Sequence, residues 1–159
     1  MATLSAPPPT DNALRMVERA MAEEGLRSAT RITNRVFQDL TGIDAYELPG
    51  LLLHEGEVPK RPGAKHLRDQ LATLLDCRRA DASALLGASE SRFSRNDQLD
   101  RDMLDRAHAI LDTYVHAAAA ITPEHATRWF NTPHPALDNQ APNQLLKTQY
   151  GRNLVNDLV

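Results

Sequence analysis

Residues 78–96 read RRADASALLGASESRFSRN, and the fold turns on how this stretch is parsed. Two helices joined by a tight turn need a small residue in the first helix where they cross, a glycine at the turn, and an apolar anchor in the second. Ser83 lies four residues before Gly87, Leu86 and Ala88 flank the turn, and Phe93 follows the glycine by six. Ser89 is placed to cap the second helix by accepting from the amide near Arg92. The stretch is therefore predicted to be a helix-turn-helix whose outward positions include Ser89, Glu90, Arg92, Ser94, Arg95 and Asn96. The same residues also fit an ordinary helical hairpin with a solvated basic face. Charge favours the first reading: residues 60–95 carry eight basic and four acidic side chains, whereas residues 96–112 carry two and five. Positive potential is what a phosphate backbone requires, so Arg78, Arg79, Ser89, Arg92, Arg95 and Asn96 are the candidate DNA contacts.

On either side the apolar residues recur at helical spacing. Leu67, Leu71, Leu74 and Leu75 mark a helix from Lys65 that ends near Asp76. Downstream, Asn96 and Asp97 introduce the longest helix. Leu99, Met103, Ala107, Ile110 and Tyr114 form one stripe on it, with Leu104, Leu111 and Val115 beside them, an arc wide enough for a central position. Upstream, Leu14, Val17 and Met21 form a helix closed near Gly25, and Ile32, Val36, Phe37 and Leu40 another closed near Gly42. Between Leu48 and Lys65, prolines and glycines at 49, 50, 56, 59, 62 and 63 interrupt any helix and leave the apolar island Leu51-Leu52-Leu53. The fold class is all-α, with a flexible lead at 1–11, an N-terminal helical extension and linker at 12–64, the helix-turn-helix region at 65–121 and a separate C-terminal unit at 122–159. The pair of helices in 12–64 fits either a homodimerisation module or an extra intramolecular layer.

Composition narrows the function classes. The chain has 159 residues, 42% hydrophobic and 25% charged, with a formal net charge of −3, so nucleic-acid binding must come from a local patch. One cysteine, Cys77, permits no internal disulfide and no cysteine-rich metal cage. No leader pattern or membrane span is evident, and the cytoplasm is the expected compartment. The six histidines lack paired ligand spacing, and no nucleophile elbow, phosphate loop or dinucleotide fingerprint is present, so no metal, cofactor or enzymatic activity is expected. The acidic run Asp97, Asp100, Asp102 and Asp105 is expected to cap and solvate the start of the long helix.

The C-terminal unit carries a second signal. Thr122-Pro123 reads as a cap with proline at the first helical position, and the helix it opens bears Trp129 and Phe130 and stops by Pro133. Pro133 and Pro135 push Thr132 and His134 out of helical geometry, which gives a rigid, extended corner after the aromatic pair. Such a corner costs little ordering entropy on association and suits a docking surface. Trp129 is expected in the core. Pro142, Leu145-Leu146, Gly151-Arg152, Val155 and Leu158 follow, read as two short helices joined at the glycine.

This pattern resembles the C-terminal toxin-binding domain of Xre/MbcA/ParS-type antitoxins: an aromatic pair, a Pro-x-Pro-x-Leu corner, Pro-x-x-Leu-Leu and a Gly-Arg-x-x-Val-x-x-Leu helix. The resemblance is close over the last forty residues or so and looser over an Xre-like helix-turn-helix from about His66. It implies neutralisation of a RES-domain toxin, one that consumes NAD or transfers ADP-ribose, together with repression of the protein's own operon. It implies that Trp129, Pro133, Pro135, Leu137, Pro142, Leu145, Gly151 and Val155 build the domain. Asn131, Thr132, His134, Gln140, Asn143 and Arg152 are the candidate partner contacts. His134 stands where the family commonly has Asn, and Asp138-Asn139 replaces a glycine-containing turn, a place where Asn can take the left-handed conformation. The expected partners are a RES-domain toxin, operator DNA and a second copy of the chain. A stand-alone regulator without a cognate toxin is the alternative.

Overall fold

A computed structural model describes residues 12–25, 28–53, 58 and 63–159, and among these every regular element is helical, as the periodicity predicts. The expected lead at 1–11 and most of the linker after Leu53 lie outside the described residues. The helices are α1 (Ala13–Glu24), α2 (Ala29–Thr41), α3 (Leu48–Leu53), α4 (Ala64–Leu75), α5 (Arg79–Leu85), α6 (Glu90–Arg95), α7 (Arg101–Ile121), α8 (Pro123–Phe130) and α9 (Gln149–Leu158). Two 3-10 turns, Pro135–Leu137 and Pro142–Leu145, lie between α8 and α9.

Helix α7 is the axis. Met103, Leu104, Ala107, Ile110, Leu111, Tyr114 and Val115 are all buried, so both predicted stripes face protein. Fully burying each large side chain of this kind stabilises by about 1.5–3 kcal/mol. The first pair of helices is capped by Asn12 and Ser28 and closed by Gly25 and Gly42, both at positive φ. Val17, Ile32, Val36, Phe37 and Leu40 pack into the same core as α4 and α7. Polar links fix the register: the Thr33 hydroxyl reaches Asp112 Oδ1 at 3.2 Å, and the Ala13 amide reaches Gln70 Oε1 at 2.8 Å. The described part of 12–64 thus packs onto the same core as α4 and α7.

Two boundaries differ from the sequence reading. Leu48–Leu53 is helical despite Pro49 and Gly50. Pro49 falls in the first turn, where no amide has a partner to lose, and the Arg101 guanidinium holds the other end by donating to the Leu51 carbonyl at 2.7 Å. Helix α7 starts at Arg101, with Asp100 as its cap accepting from the Met103 amide at 2.8 Å. Asp97 serves α4 instead. Its carboxylate accepts from the Lys65 amide at 2.8 Å and its carbonyl from the Ala64 amide at 2.9 Å. The carboxylate fills the space that a Cβ on Gly63 would occupy, at 2.3 Å. A cap borrowed from 32 residues away leaves no local sequence signature.

Candidate functional site

Residues 78–96 form a tight hairpin of α5 and α6. Gly87 sits at φ +77°, and the Ala88 amide donates back to the Ser83 carbonyl at 3.1 Å. Ser83 is buried at the crossing and bonds Arg79 O, while Phe93 is fully buried beneath the Arg68 guanidinium, 4.9 Å from the ring centroid. Ser89 caps α6 through the Arg92 amide at 3.3 Å. The six candidate DNA contacts lie on this hairpin, yet each already has an intramolecular partner. Arg78 pairs with Asp81 at 3.2 Å and holds that carboxyl below the usual carboxylate range, and Arg79 pairs with Asp69 at 3.5 Å. Arg92 turns back to the carbonyls of Asn96 and Gln98 and to Asp100, which closes the C-terminus of α6. Arg95 Nε reaches Ser91 O at 3.3 Å, the Ser89 and Ser91 hydroxyls share a bond, and Asn96 Oδ1 accepts from the Gln98 amide.

The C-terminal unit is bolted on through α8. The Tyr114 phenol donates toward Pro123 O at 2.7 Å and lies 2.8 Å from Thr127 Oγ1, and Thr127 in turn reaches Leu74 O at 2.9 Å. One turn later Asn131 Nδ2 donates to Leu75 O at 2.6 Å, so one face of α8 satisfies the free carbonyls at the end of α4. Burial pushes the Tyr114 phenol up to about 12, against the opposing bond from Thr127. Phe130 takes the core position, stacked 5.5 Å from Tyr114. Trp129, expected in the core, is only half-buried and stands edge-on to Phe130 and His134.

The corner is stapled at both ends. The His134 amide donates to Gln140 O and the Asn139 amide to His134 O, each at 3.1 Å, while His134 Nδ1 accepts from the Ala136 amide. Asp138 and Asn139 both take left-handed backbone, φ 57° and 60°, where a glycine turn would otherwise stand. Leu137 is buried beneath, and Asn143 Nδ2 reaches across to Asn131 Oδ1 at 2.8 Å. This leaves Asn131, Thr132, Pro133, Pro135, Ala136 and Gln140 exposed on a closed frame, with His134 and Asn143 half-buried.

The tail differs from its expected form. Gly151 lies within the first turn of α9, after the Thr148 cap, and a Cβ there would fall 1.9 Å from the Leu145 carbonyl oxygen. Its role is close backbone approach. Arg152, expected to meet a partner, is 6% exposed: it donates to Leu146 O at 2.8 Å and to Gln149 Oε1 at 3.2 Å, while its Nε is buried without a partner. Burial and then the neighbouring Arg106 lower its affinity for the proton. Gly151, Arg152 and Val155 hence share the buried face of α9, while Tyr150 stands 75% exposed with Leu158 and Val159. Leu154, between Tyr150 and Leu158 at helical spacing, is half-buried against the core, and the sequence reading missed the exposure of Tyr150.

Corner and hairpin meet across a cleft of about 620 Å³ lined by Cys77, Arg78, Asp81, Asn131, Asn143 and Lys147. Burial, then Asp81 and Asp76, raise the Cys77 thiol to about 11, which makes it a poor nucleophile. Behind the cleft, Arg106 binds Asp102 at 2.9 Å and the Lys147 carbonyl at 3.0 Å, packed against Gly87. The stapled Pro-x-Pro-x-Leu corner, the glycine pressed on a carbonyl and the arginine closing the preceding turn are a single interlocked unit. Residues 117–159 match the antitoxin Xre/MbcA/ParS C-terminal toxin-binding domain family. The match takes in the end of α7, α8, both 3-10 turns and α9, and it supports an antitoxin role with a toxin as partner. No curated protein matches the chain. Among the described residues, no helix of this chain is long and apolar enough to cross a membrane, and no three His, Cys, Asp or Glu side chains are grouped to hold a metal ion.

Proposed function

We propose that this protein is a cytoplasmic antitoxin that binds and neutralises a RES-type toxin, an enzyme consuming NAD or transferring ADP-ribose. Its docking surface is the corner at 131–140 with the adjacent cleft and the exposed residues of α9. The observation that supports this most is that the matched toxin-binding domain holds its exposed corner in one closed, hydrogen-bonded form, so that docking costs little ordering entropy. Thr132, His134 and Gln140 are the contacts proposed on the corner, with Asn131 and Asn143 at its edge. Arg152 acts from beneath by fixing α9.

The hairpin of α5 and α6 is proposed to read operator DNA and so to autoregulate the operon. Arg79 and Arg95, each held by one weak contact, are the cations freest to exchange an internal partner for phosphate. Co-expression with a RES-domain protein encoded beside the gene should restore growth and yield a stable complex. A toxin that stays active in the presence of saturating full-length protein would refute the neutralisation reading. For the DNA reading, a shift on the protein's own promoter should be specific and salt-steep and should weaken in Arg79→Ala with Arg95→Ala.

A further inference from the structure

Trp129 is the only tryptophan of the chain, and its ring is held from two sides. It stands edge-on to Phe130, with ring centroids 5.2 Å apart and planes at 86°, and its centroid lies 6.4 Å from that of the His134 imidazole. His134 is fixed in turn, since its amide donates to Gln140 O and its Nδ1 accepts from the Ala136 amide. The indole is therefore clamped between the fully buried Phe130 and the stapled corner, while part of it stays in contact with solvent. Its N–H has no acceptor among the described residues. Arg152 Nε is the only buried side-chain polar atom left unpaired among those residues, so the indole donor opens to solvent. A buried indole usually finds an acceptor within its own fold. Here the fold supplies the packing and leaves the donor unused. The surroundings are apolar: Pro133, Pro135 and Ala136 stand exposed beyond it, and Arg128 on the helix side is held by Glu124 at 2.9 Å.

We propose that Trp129 is the principal anchor of the toxin interface: the open edge of its indole enters an apolar pocket of the toxin, and its N–H donates to an acceptor in that pocket. The proposal rests on the toxin reading of the matched domain, within which Trp129 lies, and it gives a partner role to a residue whose expected duty was packing alone. The ring already holds one orientation, so docking freezes few rotors. Tryptophan is enriched among the residues that dominate interface energies, because it presents a large rigid area with a donor at its edge. That donor is unspent, so a toxin acceptor gains it without breaking an internal bond. The surface that fits is apolar and uncharged at its centre, as the core of a protein interface is, and unlike a phosphate backbone.

The test labels the full-length chain with fluorotryptophan, which places fluorine at position 129 alone, and follows its resonance as the RES-domain protein encoded beside the gene is added. Binding should move the resonance and abolish its response to replacing light water with heavy water. Trp129→Phe keeps a ring against Phe130 but has no N–H, and it should weaken toxin binding in calorimetry by about tenfold or more while its urea midpoint stays close to that of the wild type. If that variant loses stability, the fluorine measurement on the unsubstituted chain decides by itself. A resonance that stays unmoved and water-sensitive while the toxin binds overturns the proposal and leaves the neutralisation reading standing. A folded Trp129→Phe that binds as tightly as the wild type overturns it as well. A resonance that moves on dilution of the chain alone, and not on addition of the toxin, hands the ring to a second copy and equally overturns it. Absence of toxin binding by the wild type overturns both readings together.

Discussion

The hairpin at 78–96 and the corner at 131–140 are both tight reversals built around residues with unusual backbone preferences, but they expose different things. The hairpin is rich in cations, and all four of its arginines are tied to an acid or a carbonyl of their own fold. The corner carries no lysine or arginine; Asn131, Thr132 and His134 bond inward, and Pro133, Pro135, Ala136 and Gln140 stand exposed on a frame held by backbone bonds. Charge counted along a sequence is therefore partly spent within the fold, fully for Arg92 and only weakly for the exposed Arg79 and Arg95. A proline-braced loop, by contrast, advertises its outward face in the sequence itself.

The largest expected effect lies under the corner. Gly151→Ala places a methyl against the Leu145 carbonyl and should destabilise the protein by about 3 kcal/mol in urea unfolding. A neutral result would break the account of α9 as locked to the preceding turn. Next comes the joint between the two regions. Tyr114→Phe removes the phenol from Pro123 O and Thr127 and should cost about 1–2 kcal/mol at neutral pH. Its folded phenol titrates at about 12, above the ordinary value of about 10, so the stabilisation is complete below pH 10 or so and fades as pH rises through 12. The wild type should lose this increment on alkaline titration and Tyr114→Phe should not.

Within the hairpin the difference is smaller and more discriminating. Arg92→Ala strips the end of α6 of two carbonyl partners and should lower stability by about 1 kcal/mol, whereas Arg95→Ala should stay within about 0.5 kcal/mol. Equal effects on stability would remove the distinction drawn between a structural and an available arginine.

Much of this was legible in the sequence because it is local. The leucine stripes of α4 and α7, the Ser83–Gly87–Phe93 spacing, the Thr122-Pro123 start and the left-handed Asp138-Asn139 pair all follow from neighbours in the chain. What was hidden is long-range. Asp97 caps a helix that begins 33 positions earlier, Arg101 secures a proline-containing α3, and Arg152 turns inward because the end of the preceding turn needs a donor. In the candidate site the same divide holds: the corner was readable, while the burial of Arg152, the half-exposure of Trp129 and the exposure of Tyr150 depend on which side α9 packs.

The central claim is that the exposed face of the corner, rather than the hairpin's charge, meets the toxin. The direct measurement is titration calorimetry of the RES-domain protein into the wild type, Ala136→Arg and Arg95→Ala, each with an unchanged melting temperature. Ala136 is exposed at the apex of the corner, so an arginine there adds bulk to the contact without touching the fold. The account predicts tight binding for the wild type and for Arg95→Ala, and its loss in Ala136→Arg. Binding by Ala136→Arg as strong as that of the wild type would contradict it.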